Sequence, residues 1–406
     1  MHKNTNLIFK LSIIILLCTL IFITLLNISN FFEINKSKIV SEVNKKTVTK
    51  KIEFNKNILY VSRHDGTISN FKIIAELLSF NVSLYKPSYS FENRPDCFEE
   101  DKCKSFVKLK CSQYDYIVIS DIIPDSYIYF TNPCSAKVVL EITNRFDIFV
   151  KEENKVDYYE KLGKAVVENK DLTVVENNPY EVFHACIKGV FIPNYYLIRP
   201  LGFAPPEVMG KTYNETHEEI AVIEHTNQDK KLAIPKLKEL NIPLAQLPHR
   251  YGGPLVLATY KAVLMLPYQV SIMKMMENFR YGVAMIVPSE KLFRELIKEG
   301  SYYFAEKHLQ DIPDGLTNYV EWYNKEFEGL FVYFDSWEEL PEIIKNTDFD
   351  ALKLKVKQYI DQYQKKALNL WAQVLGILPR KDMIKYEEPM CDNLNFYYDP
   401  SIDNSN

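Results

Sequence analysis

From Asn57 onward, short apolar runs alternate with helix-patterned segments, and that alternation restricts the possible folds more than any other feature of the chain. "NILYVS" (57–62), "NVSLYK" (81–86), "YDYIVISD" (114–121), "KVVLEI" (137–142), "LTVVEN" (172–177) and "YYLIR" (195–199) each read as a strand. Helical segments lie between them at 69–80, around 156–167 and near 180–188. Parallel strands need long crossover connections, usually helices, and sheets covered on both faces have near-continuous apolar strands. The pattern pauses at "PLGFAPPEVMGKTYNETHEE" (200–219), where adjacent prolines and a polar run suggest a linker. It resumes with strands "IAVIEH", "PLAQLP", "AVLMLP", "VAMIVPS" and "GLFVYF", separated by helices at 230–240, 255–260 and after 267. The expected fold is therefore α/β, with two Rossmann-like doubly wound domains facing a cleft. The N-terminal domain would cover 56–202, a linker 203–218, and the C-terminal domain 219–348. In such sheets ligands bind outside the carboxyl ends of the strands.

Leu352, Val356, Tyr359, Ile360, Tyr363, Ala367, Leu370, Trp371 and Leu375 fall on one helical face. They predict a closing helix over 349–378, followed by an irregular tail over 379–406. Asp348 and Asp350 precede that helix. Aspartates at a helix start cap it and complement its dipole. The pair is read that way rather than as a metal–nucleotide site, and no metal site is expected.

The N-terminus carries an uncharged run from Leu11 to Leu26. About 20 apolar residues span a bilayer. The run ends in "NISNFFEIN", a poor cleavage site. The expected layout is a cytoplasmic tail (1–10), a transmembrane signal anchor (11–28) and a stem (29–55), with a cleaved signal peptide as the alternative. Lys3 and Lys10 precede the span, but Lys36 and Lys38 follow it, so charge sets the orientation only weakly. Asn35, Asn81 and Asn214 each begin an N-x-[ST] triplet. Beyond Cys18 there are six cysteines: Cys97, Cys103, Cys111, Cys134, Cys186 and Cys391. An even number suits disulfides in an oxidising compartment, although free thiols stay open and the pairing is not fixed. These features favour a single-pass type II protein whose body faces the Golgi or ER lumen. The formal net charge of −4 and the lack of a basic stripe argue against a nucleic-acid surface. Glycine is scarce, at 12 residues, and neither G-x-G-x-x-G nor G-x-x-x-x-G-K-[ST] occurs. That counts against a nicotinamide-dependent oxidoreductase.

The stretch "LMLPYQVSIMKMMENFRYGVAMIVPS" (264–289) carries the most specific pattern. A strand ends at Pro267, a loop follows, and a helix begins with Ser271 as its expected cap. Gly282 is placed to end the helix. Amides at the helix start would offer a site for a diphosphate. Pro267, Gln269, Glu277 and Gly282 resemble the C-terminal half of GT-B glycosyltransferases, which use nucleotide sugars. "YGGPLVLATYKAVLMLP", "VVENNPYEVFHACIKGVFIPNYYLIRPLG" and "YFDSWEEL" are similar to other parts of that fold, so the likeness covers about 57–376.

The resemblance implies that Glu277 holds the ribose and that Gln269, standing where the family usually has glutamate, faces the donor sugar. Ser271, Lys274 and Arg250 are the candidates for the diphosphate, with Gly252 and Gly253 letting backbone approach the ligand. On the acceptor side, His64 of "SRHDGTISN" is a candidate base, because histidine titrates near working pH. Asp65 and Asp147 are candidate orienting or alternative acids. Asn144 and Arg145 of "TNRFD", and Arg199 of "LIRPLG", are candidate cleft residues, with ion pairing as the alternative. The expected activity is transfer of a sugar to a hydroxyl of a glycan, protein or lipid, with the nucleotide sugar as co-substrate and no other cofactor. A non-catalytic, lumenal glycan-binding module on the same fold is the alternative.

Overall fold

A computed structural model describes residues 54–87, 101–204, 216–300 and 302–386. The predicted tail, anchor and most of the stem lie outside the described residues. So do Cys97 and Cys391, the triplets at Asn35 and Asn214, and the centre of the predicted linker. Among the described residues no helix is long and apolar enough to cross a membrane.

The fold is α/β with two sheets. The first half holds β1 (Ile58–Val61), β2 (Val82–Tyr85), β3 (Tyr116–Ser120), β4 (Lys137–Ile142), β5 (Leu172–Glu176) and β6 (Asn194–Leu197). The second holds β7 (His217–Ile223), β8 (Leu244–Leu247), β9 (Tyr260–Leu264), β10 (Met285–Pro288) and β11 (Val332–Phe334). A last strand, β12 (Ile384–Lys385), returns to the first sheet. The first sheet runs β12-β6-β5-β4-β3-β1-β2 and the second β11-β10-β9-β7-β8. All pairings are parallel except β12 against β6. Every predicted strand is present. Both sheets reverse direction beside their first strand, between β1 and β3 and between β7 and β9. Each reversal opens a crevice at the carboxyl ends, where ligands of such sheets bind.

Helices cover the sheets. In the first half these include α1 (Asp65–Leu78), α2 (Asp101–Gln113), α3 (Lys155–Glu168) and α4 (Tyr180–Ile187). In the second they include α5 (Met273–Tyr281), α6 (Glu290–Lys298) and the long α7 (Phe349–Val374). Asp348 caps α7, its Oδ1 accepting from the Ala351 amide at 2.9 Å, as the sequence predicts. α7 packs against both α1 and α5. Trp371 meets Phe71 of α1 edge-on, with centroids 5.2 Å apart. The chain then reaches β6, where Ile384 pairs with Tyr195 and Lys385 with Asn194. The expected irregular tail therefore contains a strand. Gly282 ends α5 in the left-handed region, as predicted.

A disulfide joins Cys111 of α2 to Cys134, just before β4. Cys186 is disulfide-bonded as well.

Candidate functional site

The two carboxyl edges meet at the start of α1. The chain leaves β1 through buried Ser62, half-buried Arg63 and exposed His64. His64 is the N-cap of α1, and its Nδ1 accepts from the Thr67 amide at 3.3 Å. The helix thus begins at Asp65, four residues before the predicted start, because Asp65 and Gly66 form its first turn rather than a free turn. A β-carbon on Gly66 would come within 2.7 Å of His64 Cε1 and 3.0 Å of Met273 Sδ. Met273 opens α5, so the absent side chain at Gly66 lets the second half approach the His64 loop.

The cap has a chemical consequence. With Nδ1 accepting, the neutral ring carries its proton on Nε2. His64 can then act as a base only after giving up the cap. Asp65 does not orient it; Asp65 is exposed and pairs with Lys86 at 3.1 Å. Asp121, just past β3, is the carboxylate that interacts electrostatically with His64. Burial raises the Asp121 pKa, while His64, Asn144 and Arg63 pull it back. Asp121 sits at φ +69°, an uncommon conformation for a residue with a side chain. Arg63 is committed to Asp125 through two bonds of 2.9 and 2.8 Å. Beneath this crevice, Tyr60 donates to Glu141 at 2.6 Å. Burial pushes the Glu141 carboxyl up to about 7, against the hydrogen bonds from Tyr60 and Ser120.

The expected acceptor residues beyond β4 divide. Asn144 is half-buried at the crevice, and its Oδ1 accepts from the Arg145 amide at 2.9 Å. Asp147 pairs with His184 Nε2 at 3.3 Å and accepts from the Tyr159 hydroxyl. Burial alone would raise its pKa, but these partners hold it down at about 2. Asp147 thus sits in a hydrogen-bonded cluster with His184 and Tyr159, where so low a pKa makes a weak base.

The two arginines tie the halves together. Arg145 bonds to Glu181 of α4 and to Glu306 of the second half, and lies 4.4 Å from the Tyr180 ring centroid. Arg199, past β6, bonds to Glu321 and, at 2.8 Å, to Glu326. Its amide donates to Tyr363 of α7. Burial disfavours the charge on both guanidiniums, but the flanking carboxylates keep them ionised. Both positions are thus ion-paired, the alternative reading from sequence. Ser271 is drawn into the same network, since its hydroxyl lies 2.5 Å from Glu321 Oε2. It does not cap α5; the cap position is Ile272, which has no capping side chain.

The second edge is different. A pocket opens where β7 and β9 diverge, lined by His225, Asp229, Tyr268, Ile272 and Lys274 and floored by the end of β9. His225 stacks on His249, with centroids 4.8 Å apart, and lies 5.0 Å from Tyr268. Burial lowers the His225 pKa, helped by the charges of Lys274 and His249. Asp229 accepts from Thr226 Oγ1 at 2.7 Å, and burial raises its pKa. Lys274 Nζ lies 4.7 Å from the Tyr251 ring centroid. Burial lowers its pKa, against the pull of Glu277 and Asp229. Glu277 is half-buried one turn along α5; burial raises its pKa while Lys274 opposes that. Among the described residues neither Lys274 nor Glu277 has a hydrogen-bond or ion-pair partner.

The remaining candidates sit around this pocket. Gly252 and Gly253 both have positive φ, +94° and +92°, so the turn behind Tyr251 requires glycine. Arg250 is exposed and makes no ion pair among the described residues. Gln269 is exposed, and its carbonyl accepts from Trp322 Nε1 at 3.2 Å. Sequence reasoning missed His225, Asp229, His249, Tyr251 and Tyr268, which come from separate loops. It also missed Asp121 and the acids of the 302–327 stretch. A strand ending next to a charged or aromatic residue, as in "IAVIEH" and "VISD", is the only signal that could have found some of them. No protein-family model matches the chain, and no curated protein matches it.

Proposed function

We propose that this protein is a membrane-anchored, lumen-facing transferase of the GT-B type that moves a sugar from a nucleotide sugar to an acceptor hydroxyl. The observation that carries the reading is the pocket at the second sheet's crevice, lined by Lys274, with Glu277 one turn further along α5; both are partly buried and neither has a hydrogen-bond or ion-pair partner among the described residues. A nucleoside diphosphate supplies what each lacks: phosphate oxygens for Lys274 and ribose hydroxyls for Glu277. The His225–Tyr268 rings give the base an aromatic wall. Lys274 and the amides opening α5 would stabilise the charge on the departing diphosphate. The anomeric C–O bond to the diphosphate breaks, the acceptor oxygen bonds to that carbon, and the acceptor proton goes to a base at the first edge. Asp121 suits that role better than His64, because it caps no helix and burial raises its proton affinity.

A non-catalytic, glycan-binding reading is the rival, favoured by the commitment of His64 to capping. The test is a thermal-shift and calorimetric screen of the full chain in detergent against nucleoside diphosphates. Binding of one nucleotide, lost in Glu277→Ala, is expected. Absence of binding to all of them would overturn the reading. Binding without turnover in any acceptor mixture would favour the rival.

A further inference from the structure

We infer that Asn81 is an N-glycosylation site of the folded protein. The inference rests on the lumenal part of the functional reading and on no other part of it. Asn81-Val82-Ser83 is the one N-x-[ST] triplet among the described residues. Its surroundings are suited to modification. α1 ends at Ser79, which turns through the left-handed region at φ 59°, and buried Phe80 pins the chain by its amide to the Ala75 carbonyl at 3.0 Å. Asn81 then emerges exposed, and Ser83 is exposed as well. The Asn81 amide has no hydrogen-bond partner among the described residues. Both groups that a transferring enzyme must read are therefore presented at the surface.

The position also fits the rest of the molecule. β2 is the terminal strand of the first sheet. Asn81 lies at its amino end, whereas the candidate site occupies the carboxyl ends. A glycan there projects away from the crevices and lies along a sheet edge, a place where natural proteins guard against strand-to-strand association. In the modifying step, Asn81 Nδ2 forms a bond to the anomeric carbon of an oligosaccharide carried on a lipid diphosphate. The carbon–oxygen bond to that carrier breaks, the lipid diphosphate leaves with the electron pair, and the amide proton passes to a base of the transferring enzyme.

The test expresses the full chain in a eukaryotic secretory system, with Asn27→Gln, Asn35→Gln and Asn214→Gln to leave one triplet. Two measurements are made: protease protection of the body in microsomes, and the mobility step released by an N-glycan-specific amidase. The expected result is a protected body and one glycan-sized step. That step should vanish in Ser83→Ala and persist in Ser83→Thr, which also controls for folding. A protected body with no step overturns the inference and leaves the lumenal reading intact. An unprotected body with no step overturns both. Nucleotide binding is expected to be the same with and without the glycan.

Discussion

The seam between the halves and the pocket on the second sheet handle buried charge in opposite ways. At the seam, Arg145 and Arg199 are each met by two carboxylates, and Ser271 and Tyr363 take up further bonding capacity. At the pocket, Lys274 lines the wall and Glu277 lies one turn further along the same helix; the two shift each other's proton affinity and are bonded to nothing described. Burying a charge is costly unless it is paired. A paired cluster therefore fixes structure, while unpaired groups hold free energy that a charged ligand can release. Both places set a basic side chain near glutamate, so the sign of the charges alone does not separate a brace from a binding site.

The largest effect expected from this contrast is at the seam. Arg199→Met leaves Glu321 buried without its cation and should destabilise the fold by about 3–5 kcal/mol, the usual cost of breaking a buried pair. Denaturant unfolding measures it, and a loss under about 1 kcal/mol would mean that the seam does not brace the halves.

Next comes a pH effect beneath the first crevice. Glu141 holds its proton more tightly folded, at about 7, than unfolded, where the ordinary value is 4.5. Its contribution is fully present below that unfolded value and is lost as pH rises through 7. The loss amounts to about 3 kcal/mol at most. Unfolding free energies at pH 5 and pH 8 should show this decline in the wild type and a smaller one in Glu141→Gln. Equal slopes would show that Glu141 does not hold the proton.

Lys274→Met sharpens the contrast from the pocket side. Removing a desolvated, unpaired cation should leave unfolding stability unchanged or raise it. Affinity for the best-binding nucleoside diphosphate should fall by about 2 kcal/mol, the value of a charge-assisted bond. Titration calorimetry gives the affinity. A protein that loses stability but keeps its affinity would place Lys274 with the braces instead. The smallest effect is expected at Gly252→Ala, where φ is +94° and Val256 Cγ2 would lie 3.1 Å from the new carbon. The cost should be about 1 kcal/mol in unfolding experiments.

Much of the scaffold is legible in the sequence because buried parallel strands are written as contiguous apolar runs. "KVVLEI" is the whole of β4, and the aspartate before the closing helix caps it. The site is less legible, for two reasons. Its residues come from loops that only the strand order brings together: His225 follows β7, His249 follows β8 and Tyr268 follows β9. Local rules also have competitors. Ser271 has the chemistry of a cap but is taken by Glu321, fifty positions away. His64 has the chemistry of a base, yet its ring caps the helix that Asp65 and Gly66 begin. The partners of Arg145 and Arg199 lie in a stretch of short helical turns, where no periodicity announces which acid points inward.

The path of the chain after the second sheet carries one more consequence. Because α7 lays Trp371 on α1 and β12 completes the first sheet, that half is assembled from two stretches of polypeptide with the other half inserted between them. Neither can be excised by a single cut. A fragment ending at 204 would uncover the side of Phe71 that meets Trp371 and the edge of β6 that β12 covers, whereas separating the halves without loss would require rejoining the C-terminal stretch to the N-terminal one.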